Sequence, residues 1–271
     1  EPSLAGPTRP EARVGLAGVA ANFRDAFPDA DVAEPDVRAA DRTLRHGDIV
    51  IAAISSCTNT GNPFQIIAAG LLARNAAARG VQAKPWVKTS LSPGSRVVTA
   101  MLQRAGLQQA LDAIGFHTVG YGCMTCGGGA GSLADAITQQ IATDGLNVVG
   151  LISTNRNFEG RLHPFVRGAY LASPPLVVAY ALAGSVLHDV ADGVLGFESA
   201  GNTVRLRDLW PSDAEVNEVM AQALTADVFR AVYSDLADGG PEWAALPAAD
   251  APVFAWDPAS LYLKRPPFLE T

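Results

Sequence analysis

The sequence predicts an α/β fold, a parallel sheet flanked by helices in three α/β/α layers. Two observations predict it. Apolar, often β-branched runs that end in polar loops alternate along the chain with stretches whose apolar residues recur at helical spacing. All three cysteines, Cys57, Cys123 and Cys126, fall in those polar loops rather than in the apolar runs. In a parallel sheet with right-handed crossovers, ligands sit outside the carboxyl ends of the strands. That geometry gathers Cys57, Cys123, Cys126, Asn155 and Arg156 at one edge although they are scattered along the chain.

The elements follow in order. Residues 1–45 read as an N-terminal arm or linker. Their opening, "EPSLAGPTRPEARVG", has neither an initial methionine nor the charged-then-apolar pattern of a secretory signal. Either the true start was removed or the chain is a piece of something longer. The α/β domain is expected over 46–187. It begins with a buried strand, Ile49 to Ile54, that runs directly into Ser-Ser-Cys-Thr-Asn-Thr. "NPFQIIAAGLLARNAAARG", 62–80, has proline in its first turn and glycine at its end, as a helix capped at both ends would. A short strand around Trp86 to Thr89 comes next, then a Ser/Pro/Gly loop and amphipathic helices through Leu111. "HTVGYGCMTCGGGAG" reads as strand then loop, and "SLADAITQQIATDG" as the next helix. Val148 to Ser153 is another strand with a polar loop behind it. "SPPLVVAYALAG", 173–184, is a helix begun by prolines. Beyond about His188 the pattern weakens to a hairpin with a Gly-Asn turn, a helix and a tail containing proline and tryptophan. Residues 188–271 are therefore expected to form a C-terminal extension or linker, and no internal repeat is evident.

Composition narrows the function classes. Hydrophobic residues make up 48% of the chain and charged residues 17%, which suits a folded protein with an extensive interior and excludes a disordered one. The formal net charge of -7, with no run of Lys or Arg, argues against a nucleic-acid partner, because phosphate neutralisation needs a basic face. The longest apolar runs fall short of the roughly 18–20 residues that cross a bilayer, so no membrane association is expected. Three cysteines are too few to staple a secreted scaffold and point to a reducing, cytoplasmic setting.

The pair Cys123 and Cys126 admits several chemistries. A redox couple would be expected to open a helix, which Gly127 to Gly129 would start poorly. Zinc asks for four ligands, and His117 and His163 lack helpful spacing. Small buried residues of no chemical role are a further reading, weakened by the position of all three thiols in polar loops. Three thiolates suit a cubane cluster better, because three irons would take cysteine sulfur and the fourth would stay open as a Lewis acid. Gly127 to Gly129 would then supply small residues and positive φ for close approach. Arg156 and Arg161, five apart in a glycine-containing loop, could each fork onto a carboxylate, although loop arginines more often only solubilise a surface. Asn59 and Asn155 could donate to sulfur or substrate or serve their own turns. His163, before Pro164, reads as a packing residue rather than a base.

The stretches "AAISSCTNTGNP", "KPWVKTSLSPGSRVV", "GYGCMTCGGGAG", "NRNFEGRLHP" and "YLASPPLVVAYALAGSV" resemble, in order, the aconitase superfamily, above all its aconitase A and iron-regulatory protein branch. The resemblance runs over essentially the whole chain and matches the family's third, cluster-binding domain with the linker that follows. It implies that Cys57, Cys123 and Cys126 hold a [4Fe-4S] cluster, with Asn155 beside it and Arg156 and Arg161 on substrate carboxylates. The activity it implies is that of a hydro-lyase or isomerase interconverting citrate and isocitrate in the tricarboxylic acid cycle. The family's catalytic serine and its His and acidic groups come from other domains and have no counterpart here. Completion by missing domains, in the same or another chain, is therefore expected. Where the family carries Ile-Gly-Asn-Ser-Gly after the second cysteine of the pair, this chain has Gly-Gly-Gly-Ala-Gly, and Gly61 and Thr154 are lesser departures. The loss of those polar groups leaves room for methylcitrate-type or specialised-metabolite substrates. A non-catalytic sensor or regulatory module that uses the cluster is the alternative.

Overall fold

A computed structural model of the chain describes residues 2–32, 43–55, 61–235, 239–247 and 252–269. The chain forms two units, Glu1–Val232 and Tyr233–Thr271. In the first, β1 (Ser3–Ala5), β2 (Arg13–Gly15) and α1 (Val19–Ala26) precede β3 (Ile49–Ser55), whose seven residues are all buried. There follow α2 (Pro63–Ala78), β4 (Lys88–Ser92), α3 (Arg96–Arg104), α4 (Leu107–Ala113) and α5 (Asp135–Asp144). Next come β5 (Val149–Ile152), β6 (Gly168–Leu171) and α6 (Pro174–Ala183), then β7 (Val194–Phe197) and β8 (Thr203–Arg205). The unit closes with α7 (Leu206–Leu209), α8 (Asp213–Ala223) and α9 (Ala226–Tyr233).

Among the described residues six strands make one sheet in the order β2-β1-β6-β5-β3-β4. The four strands from β6 to β4 are parallel, and β1 and β2 add an antiparallel edge. The α/β expectation therefore holds. Residues 3–5 and 13–15, read from sequence as part of an arm, form that outer edge. A single parallel bridge from Leu91 to Thr118 extends the sheet beyond β4 where the sequence suggested a strand.

Connection handedness distributes the helices. The chain moves outward from β3 through α2 to β4, and outward again through α3 and α4 to Thr118. It then returns past β3 through α5 to β5. Right-handed crossovers running in opposite directions lie on opposite faces. Consistent with this, α2 packs on α4 and α6 on one face. On the other, Leu162 and Val166 of the long β5–β6 connection close over Gly150. Every residue of α6 is buried, as expected of a helix that is apolar all round.

Residues 188–232 are tied to α2. Arg74 bridges to Glu215 at 2.6 Å, Asn75 Nδ2 donates to the Leu209 carbonyl at 2.9 Å and Arg79 bridges to Glu198 at 2.7 Å. The β7–β8 hairpin turns at Gly201, φ +85°, as the Gly-Asn pair suggested. The second unit contains α10 (Gly240–Ala244) and an edge-on contact of Phe254 with Trp256, ring centres 4.9 Å apart. Among the described residues no helix is long and apolar enough to cross a membrane.

Candidate functional site

The change in winding direction falls between β3 and β5, a topological switch point. In open α/β sheets such a point leaves a crevice at the strands' carboxyl ends. The two strands are joined there by serines: the Ser55 N–H donates to Ser153 Oγ at 3.1 Å, and Ser153 Oγ donates back to the Ser55 carbonyl at 3.4 Å. Cys57 follows two residues after Ser55, and it and Asn59 lie outside the described residues.

The Cys123 and Cys126 loop is anchored to the same place. Val119 N–H bonds the Leu91 carbonyl at 3.0 Å, so the chain leaves the sheet at the end of β4. Gly122 N–H then donates to the Pro93 carbonyl at 2.8 Å, and Ser55 Oγ donates to the Gly122 carbonyl at 3.3 Å. From Cys123 the backbone makes one helical turn and stops. Gly128 N–H bonds the Thr125 carbonyl at 3.1 Å and Gly129 N–H reaches the Met124 carbonyl at 2.8 Å, with Gly128 at φ +89°. Those two bonds around a left-handed residue are a Schellman termination.

This accounts for the three glycines differently from the sequence reading. Only Gly128 of the three has positive φ. A Cβ on Gly129 would lie 2.7 Å from the Met124 carbonyl oxygen, and one on Gly127 3.0 Å from that of Cys123. The two are small because the turn folds back on itself. The turn closes rather than opens a helix, the opposite of a thioredoxin-type arrangement. It also sets Cys123 and Cys126 at the i, i+3 spacing that places two side chains on one face. Cys123 is exposed and Cys126 buried.

The β5–β6 connection holds the turn from the other side. Arg161 Nε donates to the Cys126 carbonyl at 2.7 Å, and Asn155 Oδ1 lies 3.8 Å from Cys126 Sγ. Arg156 is exposed in the same connection, with Thr154 Oγ1 donating to its carbonyl at 3.3 Å. The sequence did not single out Asn157, yet it fixes this segment to the sheet. Its buried Nδ2 donates to the Ala169 carbonyl at 2.7 Å and to that of Ala5 at 3.2 Å. His163 Nδ1 accepts from the Phe165 N–H at 3.3 Å. Burial, and then the charge of Lys88, hold its imidazole below the ordinary 6.5. Lys88 itself donates to the Ser132 carbonyl at 2.8 Å, closing the cysteine loop at its far end. Among the described residues no three His, Cys, Asp or Glu side chains form a metal-holding group. Those residues bring together Cys123, Cys126, Asn155 and Arg161.

Fold and site together define a class: a doubly wound α/β domain with a cysteine turn and loop arginines at its switch point. The chain belongs to the aconitase family (aconitate hydratase), whose sequence profile matches residues 1–184. The aconitate hydratase A of Deinococcus radiodurans is 46% identical over 282 residues, covering all of this chain and 31% of that protein. That of Thermus thermophilus is 46% identical over 284 residues, covering all of this chain and 32% of the relative. That of Streptomyces viridochromogenes is 49% identical over 227 residues, 84% of this chain and 24% of the relative. The chain thus spans about a third of the length of the relatives it matches.

Proposed function

We propose that this chain is the cluster-bearing part of an aconitase-type hydro-lyase or isomerase acting on a citrate-like tricarboxylic hydroxy acid in the cytoplasm. In this reading Cys57, Cys123 and Cys126 hold a [4Fe-4S] cluster, and residues 46–187 carry the site. Residues 1–45 and 188–271 flank it and lead toward the rest of the protein. When bound, the cluster supplies a Lewis-acidic iron for a substrate hydroxyl and carboxylate. The donor set suits it, with two thiols on one face of a short turn and a third sulfur two residues beyond the adjoining strand.

The chain's own residues then bind and orient. Arg161 engages the Cys126 carbonyl through Nε, so its two terminal nitrogens remain to fork onto a carboxylate end-on. Arg156, exposed in the same connection, serves a second carboxylate, and Asn155 stands beside Cys126 as a polar contact for sulfur or substrate. Proton removal and hydroxyl departure require side chains that this chain lacks, which the remaining two thirds of an aconitate hydratase-sized protein would bring.

The observation that carries this reading is the double tether of the cysteine turn, by Ser55 at the end of β3 and by Arg161 from the β5–β6 connection. The test is anaerobic reconstitution with ferrous iron and sulfide. The chain should take up about four irons, as a cubane requires, and C126S should fail to hold a stable cluster. Unchanged iron and sulfide content in C126S would refute the ligand assignment. Turnover of cis-aconitate by the isolated chain would refute its dependence on further domains.

A further inference from the structure

The end of α7 sets an indole on the surface beside a hollow. Leu209 is fully buried, whereas Trp210, which follows it, is 42% exposed. The backbone that carries the indole is fixed: Trp210 N–H bonds the Leu206 carbonyl at 2.9 Å, Asn75 Nδ2 donates to the Leu209 carbonyl at 2.9 Å, and the Arg205 N–H donates to Asp208 Oδ2 at 2.8 Å. A side chain on so rigid a base loses little freedom when something packs on it. With Leu16, Leu176 and Leu206 it lines a cavity of about 650 Å³ whose walls are chiefly apolar. Gln65 and Leu176, also in the wall, belong to the first turns of α2 and α6, the helices that follow β3 and β6. The cavity therefore lies on the carboxyl-end rim of the sheet, the rim that carries the switch point. Arg207 completes the lining, and among the described residues it meets a carboxylate only at 4.0 Å, that of Asp208.

We infer that this hollow is the seat for the part of an aconitate hydratase-sized protein that this chain lacks, which packs an apolar side chain against Trp210 and presents a carboxylate to Arg207. The inference rests on the reading above that further domains complete the site. The occupant is protein because this chain makes up only 31% and 32% of two relatives that match it from end to end. The groups that move the proton belong to the remainder, which has to reach this rim to act. Tryptophan and arginine at a preformed pocket are the residue types that anchor interfaces. A buried indole removes about 150–250 Å² from water, while an exposed pair such as Arg207 with Asp208 contributes about 0–1 kcal/mol and leaves the guanidinium open to a better partner.

The test compares this chain alone with a full-length chimera in which it replaces the matching segment of the Thermus thermophilus relative. Hydroxyl-radical footprinting reads side-chain exposure residue by residue. Trp210 should be oxidised readily in the chain alone and several-fold more slowly in the chimera, while buried Trp86 stays slow in both. Equal oxidation of Trp210 in the two overturns the seat, as does protection that appears in the chain alone on raising its concentration, which would assign the hollow to a second copy. Arg207→Glu should leave the melting temperature of the chain alone unchanged and lower that of the chimera; an unchanged chimera overturns the carboxylate contact. Turnover of cis-aconitate by the reconstituted chimera checks the underlying reading separately. Turnover with Trp210 as exposed as in the chain alone overturns the seat and leaves that reading standing, whereas protection of Trp210 without turnover supports the seat and ends the reading. If that chimera does not fold, the Deinococcus radiodurans relative supplies the frame for the same measurements.

Discussion

Gly128 stands at the left-handed end of the cysteine turn, where an L side chain costs roughly 1–2 kcal/mol. Gly128→Ala should lower unfolding stability by about that amount in urea with an unchanged slope, because the strain is local. Among the described residues a Cβ there would meet only the Arg161 carbonyl oxygen, at an ordinary 3.6 Å, so a larger loss would mean that the turn bears on the core. His163 gives a pH signature. Its folded imidazole titrates below 6.5, so the unfolded chain binds the proton more readily. The contribution is fully present above pH 6.5 and declines as the pH falls below it. Stability measured from pH 8 to 5 should show this decline in wild type, and His163→Gln should flatten it. Identical profiles would dismiss His163 as its source.

Two helices of unlike composition meet different needs. α2 begins in solvent at Asn62, whose Oδ1 accepts the Phe64 N–H at 3.0 Å. Asn62→Ala should cost about 1 kcal/mol, the usual worth of such a cap, and circular dichroism melts would report it. α6 begins and ends inside the protein, and Leu182 is fully buried. Leu182→Ala should cost about 2–5 kcal/mol, depending on how far the cavity collapses. Both helices were legible as capped apolar segments. The strands were less so. The sequence placed a strand around Trp86 to Thr89, while β4 runs from Lys88 to Ser92. Ser90 and Ser92, which look like loop residues, are buried because this end of the strand underlies the site. β6 escaped notice: Gly-Ala-Tyr-Leu is only four residues long, opens with glycine and carries no alternation. Its register comes from β5 and from Asn157 bonding the Ala169 carbonyl.

The first unit extends well past the α/β pattern. Val190, Leu195, Val204, Leu209, Val216 and Ala223 are all buried in the same core as the sheet. A chain ending at Val232 should therefore unfold cooperatively. One ending at Leu187 should lose cooperativity, because it uncovers the face of α2 that carries Arg74, Asn75 and Arg79. Scanning calorimetry of the two chains would decide, and equal cooperativity would show that residues 188–232 add nothing to the folding unit. The exposed ion pairs on that face contribute little, about 0–1 kcal/mol each, so the apolar burial behind them is what the shorter chain forfeits.

By itself the sequence determined the alternation of strands and helices, the parallel sheet, and the presence of cysteines and arginines in the loops at strand ends. Those features follow from local periodicity and from the rule that loops at the carboxyl ends of parallel strands share one edge. Only the tertiary structure decided where the winding reverses, that the three glycines finish a Schellman turn, and that Arg161 and Ser55 grip that turn from opposite sides. It also assigned Ser92 and Asn157 their places. The Schellman turn closes on local bonds, but the winding of the sheet and the holds made by Ser55, Arg161 and Asn157 depend on contacts between residues far apart in the chain, and no local pattern encodes a contact made only when the sheet has formed.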